Sequence, residues 1–141
     1  MDGVVLNTSK KIEHPQGSIY HAMKCTDPNF SGFGEAYFSS INYGDIKGWK
    51  KHTEMQMNIL VPIGEIEFVI YDDRDESKTK NEFYSTKLSQ NNYQRLTVSP
   101  GLWVAFRGCY SGPNMLLNIA SIVHNPLESV NMSLKDIAYE W

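Results

Sequence analysis

The sequence predicts an all-β fold in which short strands form one sandwich or barrel. Apolar and polar residues alternate with a period of two in several segments, and turn-forming residues separate those segments at near-regular intervals. No segment before residue 126 shows helical periodicity. The chain has 141 residues, of which 41 % are hydrophobic, so it is long enough to bury one core. We therefore predict one domain over residues 1–141.

Seven segments carry the strand pattern. The clearest is residues 65–71, in which Ile66, Phe68 and Ile70 share one face. The polar residues 72–82 are predicted to form one exposed loop between two strands, and a short helix is predicted over residues 127–136. The strands are predicted at residues 35–40, 56–61, 65–71, 82–88, 93–98, 102–107 and 115–123.

Composition excludes several classes of function. The chain has 13 basic and 16 acidic residues and a net charge of −3, so a nucleic-acid partner is not expected. Two cysteines, Cys25 and Cys109, are too few for the disulfide framework of a small secreted protein. No stretch is apolar enough to serve as a signal peptide or to cross a membrane. We therefore expect a cytoplasmic protein without a membrane partner.

Residues 48–64 are the most informative segment. Lys50 and His52 are two positions apart, so on a strand they share a face, which is either the lumen of a barrel or a solvated edge. The spacing resembles the metal motifs of cupin barrels, which would place histidines at positions 50, 52 and 104 and an acid at position 57. Only His52 is present, and Lys50, Met57 and Val104 occupy the other positions. Because a transition-metal site needs about three protein ligands, we expect no metal and no other cofactor.

Five short segments follow one another at characteristic spacing: GFGEAYFS at 32–39, GDIKGW at 44–49, YDDR at 71–74, PG at 100–101 and IAYEW at 137–141. In their order and spacing the chain, from residue 16 to residue 141, resembles the dTDP-4-dehydrorhamnose 3,5-epimerase (RmlC-like) family of the cupins. The resemblance implies a single-domain cupin or jelly-roll β-barrel that forms a homodimer and binds a sugar nucleotide. It implies an epimerase or isomerase of deoxysugar or surface-polysaccharide biosynthesis. In such an enzyme a His–Asp base removes the proton alpha to a ketone and a tyrosine returns one.

Position by position, the resemblance places unusual residues where the chemistry of the family lies. Lys50 falls at the position of the base, and His124 falls at the position of the tyrosine acid. Gln16 and Met57 fall at positions where the family has basic residues, whereas Lys47 keeps a basic residue close to the base. The resemblance therefore implies an altered acid–base pair.

Two interpretations follow. In the first, Lys50 and His124 are the catalytic pair of a 4-keto-6-deoxy sugar epimerase or isomerase. A lysine is a base at neutral pH only where burial or a nearby cation lowers its pKa, whereas a histidine titrates near neutrality. In the second, the chain is a catalytically silent cupin that binds a carbohydrate or a protein partner without turnover. In both, the predicted substrate-binding residues are Lys47, His52, Met57 and Trp103.

Overall fold

The computed structural model describes residues 1–141 and shows two five-stranded antiparallel sheets packed face to face. In the first sheet the strand order is β1-β9-β6-β11-β4, and in the second it is β12-β5-β10-β7-β8. A two-stranded ribbon, β2-β3, lies outside them. The strands are β1 (Val4–Thr8), β2 (Lys11–Ile12), β3 (Ile19–Tyr20), β4 (Glu35–Ile41), β5 (Ile46–His52), β6 (Met57–Ile63), β7 (Glu65–Tyr71), β8 (Phe83–Ser89), β9 (Gln94–Val98), β10 (Trp103–Gly108), β11 (Asn114–Ala120) and β12 (Ser129–Asn131).

The core lies between the two sheets and follows from the alternation of the strands. In β7, Ile66, Phe68 and Ile70 are fully buried and belong to one cluster of 15 buried residues. Leu96 and Val98 of β9 meet them from the first sheet. Burial of this apolar area, at roughly 25 cal/mol per Å², is the main force that holds the sheets together. The predicted all-β jelly roll is confirmed, with two open sheets in place of one continuous closed barrel.

A second, smaller cluster covers the outer face of the second sheet. Trp49, Trp103 and Ala105 are buried there under Ile137 and the partly buried Trp141. The residues after 132 therefore pack across this sheet and close its outer face.

All seven predicted strands are present, with ends that differ by no more than three residues. The predicted helix at 127–136 is wrong. The structure has a 3₁₀ helix at Pro126–Glu128, followed at once by β12. Ser129–Asn131 pair with β5, so the backbone hydrogen bonds that a helix would form within itself are made between strands. No helix here has the length and apolar character that a bilayer crossing requires.

Candidate functional site

A cavity of about 110 Å³ opens between the two sheets. Five strands line it, two from the second sheet and three from the first. One part of its wall is apolar, and the polar side chains gather on β4, β5 and β11. Its lining consists of Tyr37, Ser39, Lys50, His52, Met57, Ile59, Val104, Phe106, Leu116 and Asn118.

A buried histidine–carboxylate pair lies at this cavity. The Nδ1 atom of His52 forms a hydrogen bond with Oε1 of Glu128, and both side chains are at least 96 % buried. Glu128 is held in place because the 3₁₀ helix ends there and β12 continues along β5, with Ser129 opposite His52. A charged carboxylate accepts, so Nδ1 is the donor, and in the neutral ring Nε2 then carries no proton.

Further donors fix the second oxygen of Glu128. Its Oε2 accepts hydrogen bonds from the backbone N–H groups of Glu54 and Met55, at 3.2 Å each. Burial alone would raise the pKa of the Glu128 carboxyl. The hydrogen bonds from His52 and from the two backbone amides outweigh burial and hold that pKa below its ordinary value. Glu128 is thus a charged and well-oriented partner for the imidazole.

Tyr37 stands on the opposite side of the cavity. The hydroxyl of Tyr37 accepts a hydrogen bond of 3.0 Å from Nδ2 of Asn118, its neighbour across β4 and β11. That bond leaves the hydroxyl proton of Tyr37 available for another acceptor. Ser39, two residues further along β4, lines the same cavity. The cavity therefore carries hydroxyl groups on the wall that the first sheet supplies.

Three of the residues predicted as site residues line this cavity together: Lys50, His52 and Met57. Lys50 and His52 share a face of β5, as the two-residue spacing predicts, and Met57 belongs to the apolar wall. Lys47 does not line the cavity. Its ammonium donates a hydrogen bond of 2.6 Å to the backbone oxygen of Ser40, the residue next to Ser39.

The structure does not bring Trp103 or His124 into this cavity. Trp103 pairs with Lys51 in the register of β10 on β5, whereas the neighbouring Val104 pairs with Lys50. Successive strand residues face opposite ways, so Trp103 points to the outer cluster, where its Nε1 donates to Asp73 at 2.8 Å. His124 is exposed in the loop that follows β11.

Two residues of the site were not singled out from the sequence. Glu128 falls within the segment predicted as a helix, and only the pairing of β12 with β5 brings it to His52. Tyr37 lies within GFGEAYFS, but nothing local distinguishes it from Tyr43 or Phe38. The alternation of β4 was the available signal, because it places Tyr37 and Ser39 on one face.

No group of three or more His, Cys, Asp and Glu side chains is placed to hold a metal ion. In the cavity the one strong metal donor is the imidazole of His52. The chemistry that this arrangement supports is proton transfer, with an oriented imidazole facing an ammonium and a phenol.

The fold is shared with known proteins. No protein-family model matches the chain. The structure superimposes on a dTDP sugar isomerase from Desulfovibrio desulfuricans with a TM-score of 0.95 and 31 % identity, over 99 % of this chain and 91 % of that one. It has the fold of RmlC from Legionella pneumophila, crystallised with dTDP-4-keto-L-rhamnose, with a TM-score of 0.88 and 17 % identity, over 100 % of this chain and 79 % of that one.

A curated relative carries the name of a glycan biosynthesis enzyme. The probable low-salt glycan biosynthesis epimerase Agl13 of Haloferax volcanii is 31 % identical over 93 residues, which are 65 % of this chain. The match spans 56 % of Agl13, little more than half of its length. The isomerase from Desulfovibrio, in contrast, is matched over nearly its whole length at the same identity. The chain therefore belongs to the RmlC-like family of sugar epimerases and isomerases.

Proposed function

We propose that this protein is an epimerase or isomerase that acts on a nucleotide-linked 4-keto-6-deoxy sugar in glycan or surface-polysaccharide synthesis. The names of its relatives support the class of reaction and the dTDP-sugar substrate. Both epimerisation and isomerisation of such a sugar begin with removal of a proton from the carbon next to the ketone, which gives an enolate.

The buried His52–Glu128 pair is the observation that carries this proposal. Because Nδ1–H of His52 donates a hydrogen bond to Glu128, the lone pair of Nε2 can accept the sugar proton. The carboxylate fixes the orientation of the ring and stabilises the imidazolium that forms. The backbone N–H groups of Glu54 and Met55 hold the Glu128 carboxylate in place. The imidazole of His52 is therefore oriented before the substrate binds.

Lys50 and Tyr37 complete the proposed chemistry. The ammonium of Lys50 is in the same cavity as the imidazole and stabilises the negative oxygen of the enolate. The Tyr37 hydroxyl, oriented by Asn118, returns a proton from the other wall. The pair predicted from the sequence, Lys50 as base with His124 as acid, differs from this assignment in both roles. Here His52 is the base, Lys50 stabilises the enolate and Tyr37 is the acid, and variants of both histidines decide between the two assignments.

One observation favours the alternative, a silent barrel that binds a carbohydrate without turnover. The wall formed by Met57, Val104, Phe106 and Leu116 is apolar, and Lys50 is the one lysine or arginine in the lining. A diphosphate is bound better by several cationic side chains than by one.

Lys47 is the proposed contact for the anionic part of the ligand. Its ammonium donates a hydrogen bond to the backbone oxygen of Ser40.

Solvent deuterium exchange tests the proposal. We expect the protein in D2O to introduce deuterium next to the ketone of a dTDP-linked 4-keto-6-deoxy sugar, as followed by NMR and mass spectrometry. His52→Gln should reduce the exchange rate by about 10²- to 10⁴-fold, since it removes a general base. The matched control, His124→Gln, removes an exposed imidazole outside the cavity and should leave the rate unchanged.

The opposite results discriminate among the alternatives. Exchange that survives His52→Gln and disappears in His124→Gln would favour the pair predicted from the sequence. No exchange in any variant, together with a rise in melting temperature on addition of the sugar nucleotide, would favour the silent barrel.

The homodimer and the cytoplasmic location belong to this proposal as well. Phe33 and Phe38 are each about 65 % exposed beside the edge strand β4, and a second copy of the chain would cover such a surface. Both cysteines are free, and Cys25 is exposed, which suits a reducing compartment. Sedimentation velocity would measure the dimer, and Phe38→Glu should shift it to monomer.

A further inference from the structure

A second cavity, of about 220 Å³, lies on the outer face of the first sheet. Its floor comes from the ends of β1 and β9, and residues 21–28 form its other wall. None of its lining residues belongs to the cavity of His52. We call it the β1–β9 cavity.

Buried polar atoms without a partner are concentrated in the β1–β9 cavity. Four buried side-chain nitrogen or oxygen atoms in the protein make no hydrogen bond. Three of them belong to residues that line it: Nδ2 of Asn7, Oγ of Ser9 and Nε of Arg95. Leaving a buried donor unsatisfied costs about 1–3 kcal/mol, so three in one place mark the β1–β9 cavity as a position where water or a ligand supplies the missing hydrogen bonds.

Arg95 is the centre of this arrangement. It is 97 % buried, and it stands opposite Asn7 in the register of β1 on β9, so the two side chains share the outer face of the sheet. Its Nη atoms donate to Asp27 at 3.1 Å and to the backbone oxygen of Pro28 at 2.8 Å. These bonds fix the guanidinium and leave its Nε–H without an acceptor.

The charge of the lining is positive. Lys10, Lys24 and Arg95 contribute three cations against the single carboxylate of Asp27. The backbone N–H of Lys24 and the guanidinium of Arg95 lower the pKa of Asp27, so its charge is included in that balance. Unpartnered donors and exposed lysine side chains in one lining are the features with which proteins bind oxyanions.

We propose that the β1–β9 cavity binds a phosphate-type oxyanion, either free phosphate or the phosphate group of a nucleotide. The anion accepts from Arg95, Asn7 and Ser9 and is neutralised by Lys10 and Lys24. The proposal is independent of the function of the His52 cavity, because the two sites share no residue.

Calorimetric titration of the whole protein with inorganic phosphate tests this, at an ionic strength held constant with chloride. We expect saturable binding at one site. Lys10→Ala/Lys24→Ala should weaken it by more than tenfold, whereas the control Lys78→Ala/Lys135→Ala, which removes two exposed lysines outside the cavity, should not. Ser9→Ala, which deletes an unpartnered hydroxyl, should weaken binding several-fold and leave the free protein folded.

A second arm distinguishes the source of the phosphate. Thymidine monophosphate that binds more tightly than inorganic phosphate, with the same loss in the double lysine variant, would assign a nucleotide. Binding no tighter than that of inorganic phosphate would assign free phosphate. His52→Gln should bind phosphate as the wild type does. No saturable phosphate binding, or an equal loss in the two double variants, would overturn the proposal.

Discussion

The stability of the fold at acid pH depends in part on one buried carboxylate, that of Asp72, at the start of the loop after β7. It is fully buried, and its oxygens accept hydrogen bonds from Arg74, Ser77 and Thr79. The guanidinium of Arg74 is the largest cause that holds the pKa of this carboxyl well below its usual range, against the opposing effect of burial. Because the folded-state pKa is the lower one, the charged carboxylate stabilises the fold above the unfolded pKa of about 3.9. That stabilisation is lost as the pH falls from there towards the folded-state pKa.

We expect Asp72→Asn to lower the free energy of unfolding by about 2 kcal/mol at neutral pH, since hydrogen bonds to a charged group are lost. The difference from the wild type should shrink between about pH 5 and pH 2, where the wild type loses the same contribution. Urea denaturation at a series of pH values measures both. Asp136→Asn, at an exposed position, is the control. A difference that stays constant with pH would contradict the assignment.

The partner of a side chain is harder to predict than its face. The spacing of Lys50 and His52 predicts a shared face, and both residues line one cavity. Glu128 is 76 residues from His52 in the sequence, and its contact depends on the docking of a three-residue strand, β12. No local pattern encodes such a contact, because it is fixed by pairing between distant segments. The ion pair between Asp72 and Arg74 is local in contrast, since two residues in one turn meet without help from the rest of the fold.

The connection between β6 and β7 depends on a glycine. Gly64 has a φ of +76°, and a Cβ atom there would lie 2.4 Å from the backbone oxygen of Pro113 and 2.5 Å from Oδ1 of Asn114. Asn114 uses that oxygen to accept from the backbone N–H of Glu65, so the contact cannot open without loss of a hydrogen bond. The turn is thus locked to the start of β11.

Gly64→Ala should therefore destabilise the protein by about 3 kcal/mol, through backbone strain and the clash together. Gly44 offers a matched control, because its φ of +78° is nearly the same and nothing lies within 4 Å of a Cβ there. Gly44→Ala should lower the free energy of unfolding by only the backbone strain, about 1–2 kcal/mol. Thermal unfolding of the two variants compares them, and equal losses would show that the close contact contributes nothing.

Strands were predictable where the alternation was strong, and the residues around 127–136 were not. β7 was predicted to the residue because one of its faces is apolar throughout. Apolar residues at Leu127, Val130 and Leu134 have spacings that a helix also satisfies, yet Leu127 is 93 % exposed and Val130 lies in β12. Pairing with β5 favours a strand over a helix in this segment. That pairing depends on a distant part of the chain, so the local sequence does not show it.

The molecule as a whole depends on one core shared by both sheets. Phe68 is fully buried there and contacts Phe106 with ring centroids 5.7 Å apart. We expect Phe68→Ala to lower the free energy of unfolding by about 3–5 kcal/mol, because a large cavity remains between the sheets. Leu127→Ala, at a side chain that is 93 % exposed, should change it by less than about 0.5 kcal/mol.

Urea titrations followed by tryptophan fluorescence and by far-UV circular dichroism measure this difference. The two signals should give the same midpoint in Phe68→Ala, because both sheets rest on the same cluster. Separate midpoints would show that the sheets unfold independently and that the cluster does not join them.

The pairing of β12 with β5 also determines the order in which the parts of the site come together as the chain is synthesised and folds. The walls of the cavity are complete once β11 has docked, since every lining residue precedes Ala120. Glu128 arrives later, with the 3₁₀ helix and β12. During synthesis on the ribosome, the barrel can therefore assemble around a histidine that still lacks its carboxylate. A chain cut by a protease in the exposed residues 123–125 would keep its cavity and lose the covalent tether of that carboxylate. On the proposed function, turnover would therefore report the docking of the last segment more sharply than any probe of the core.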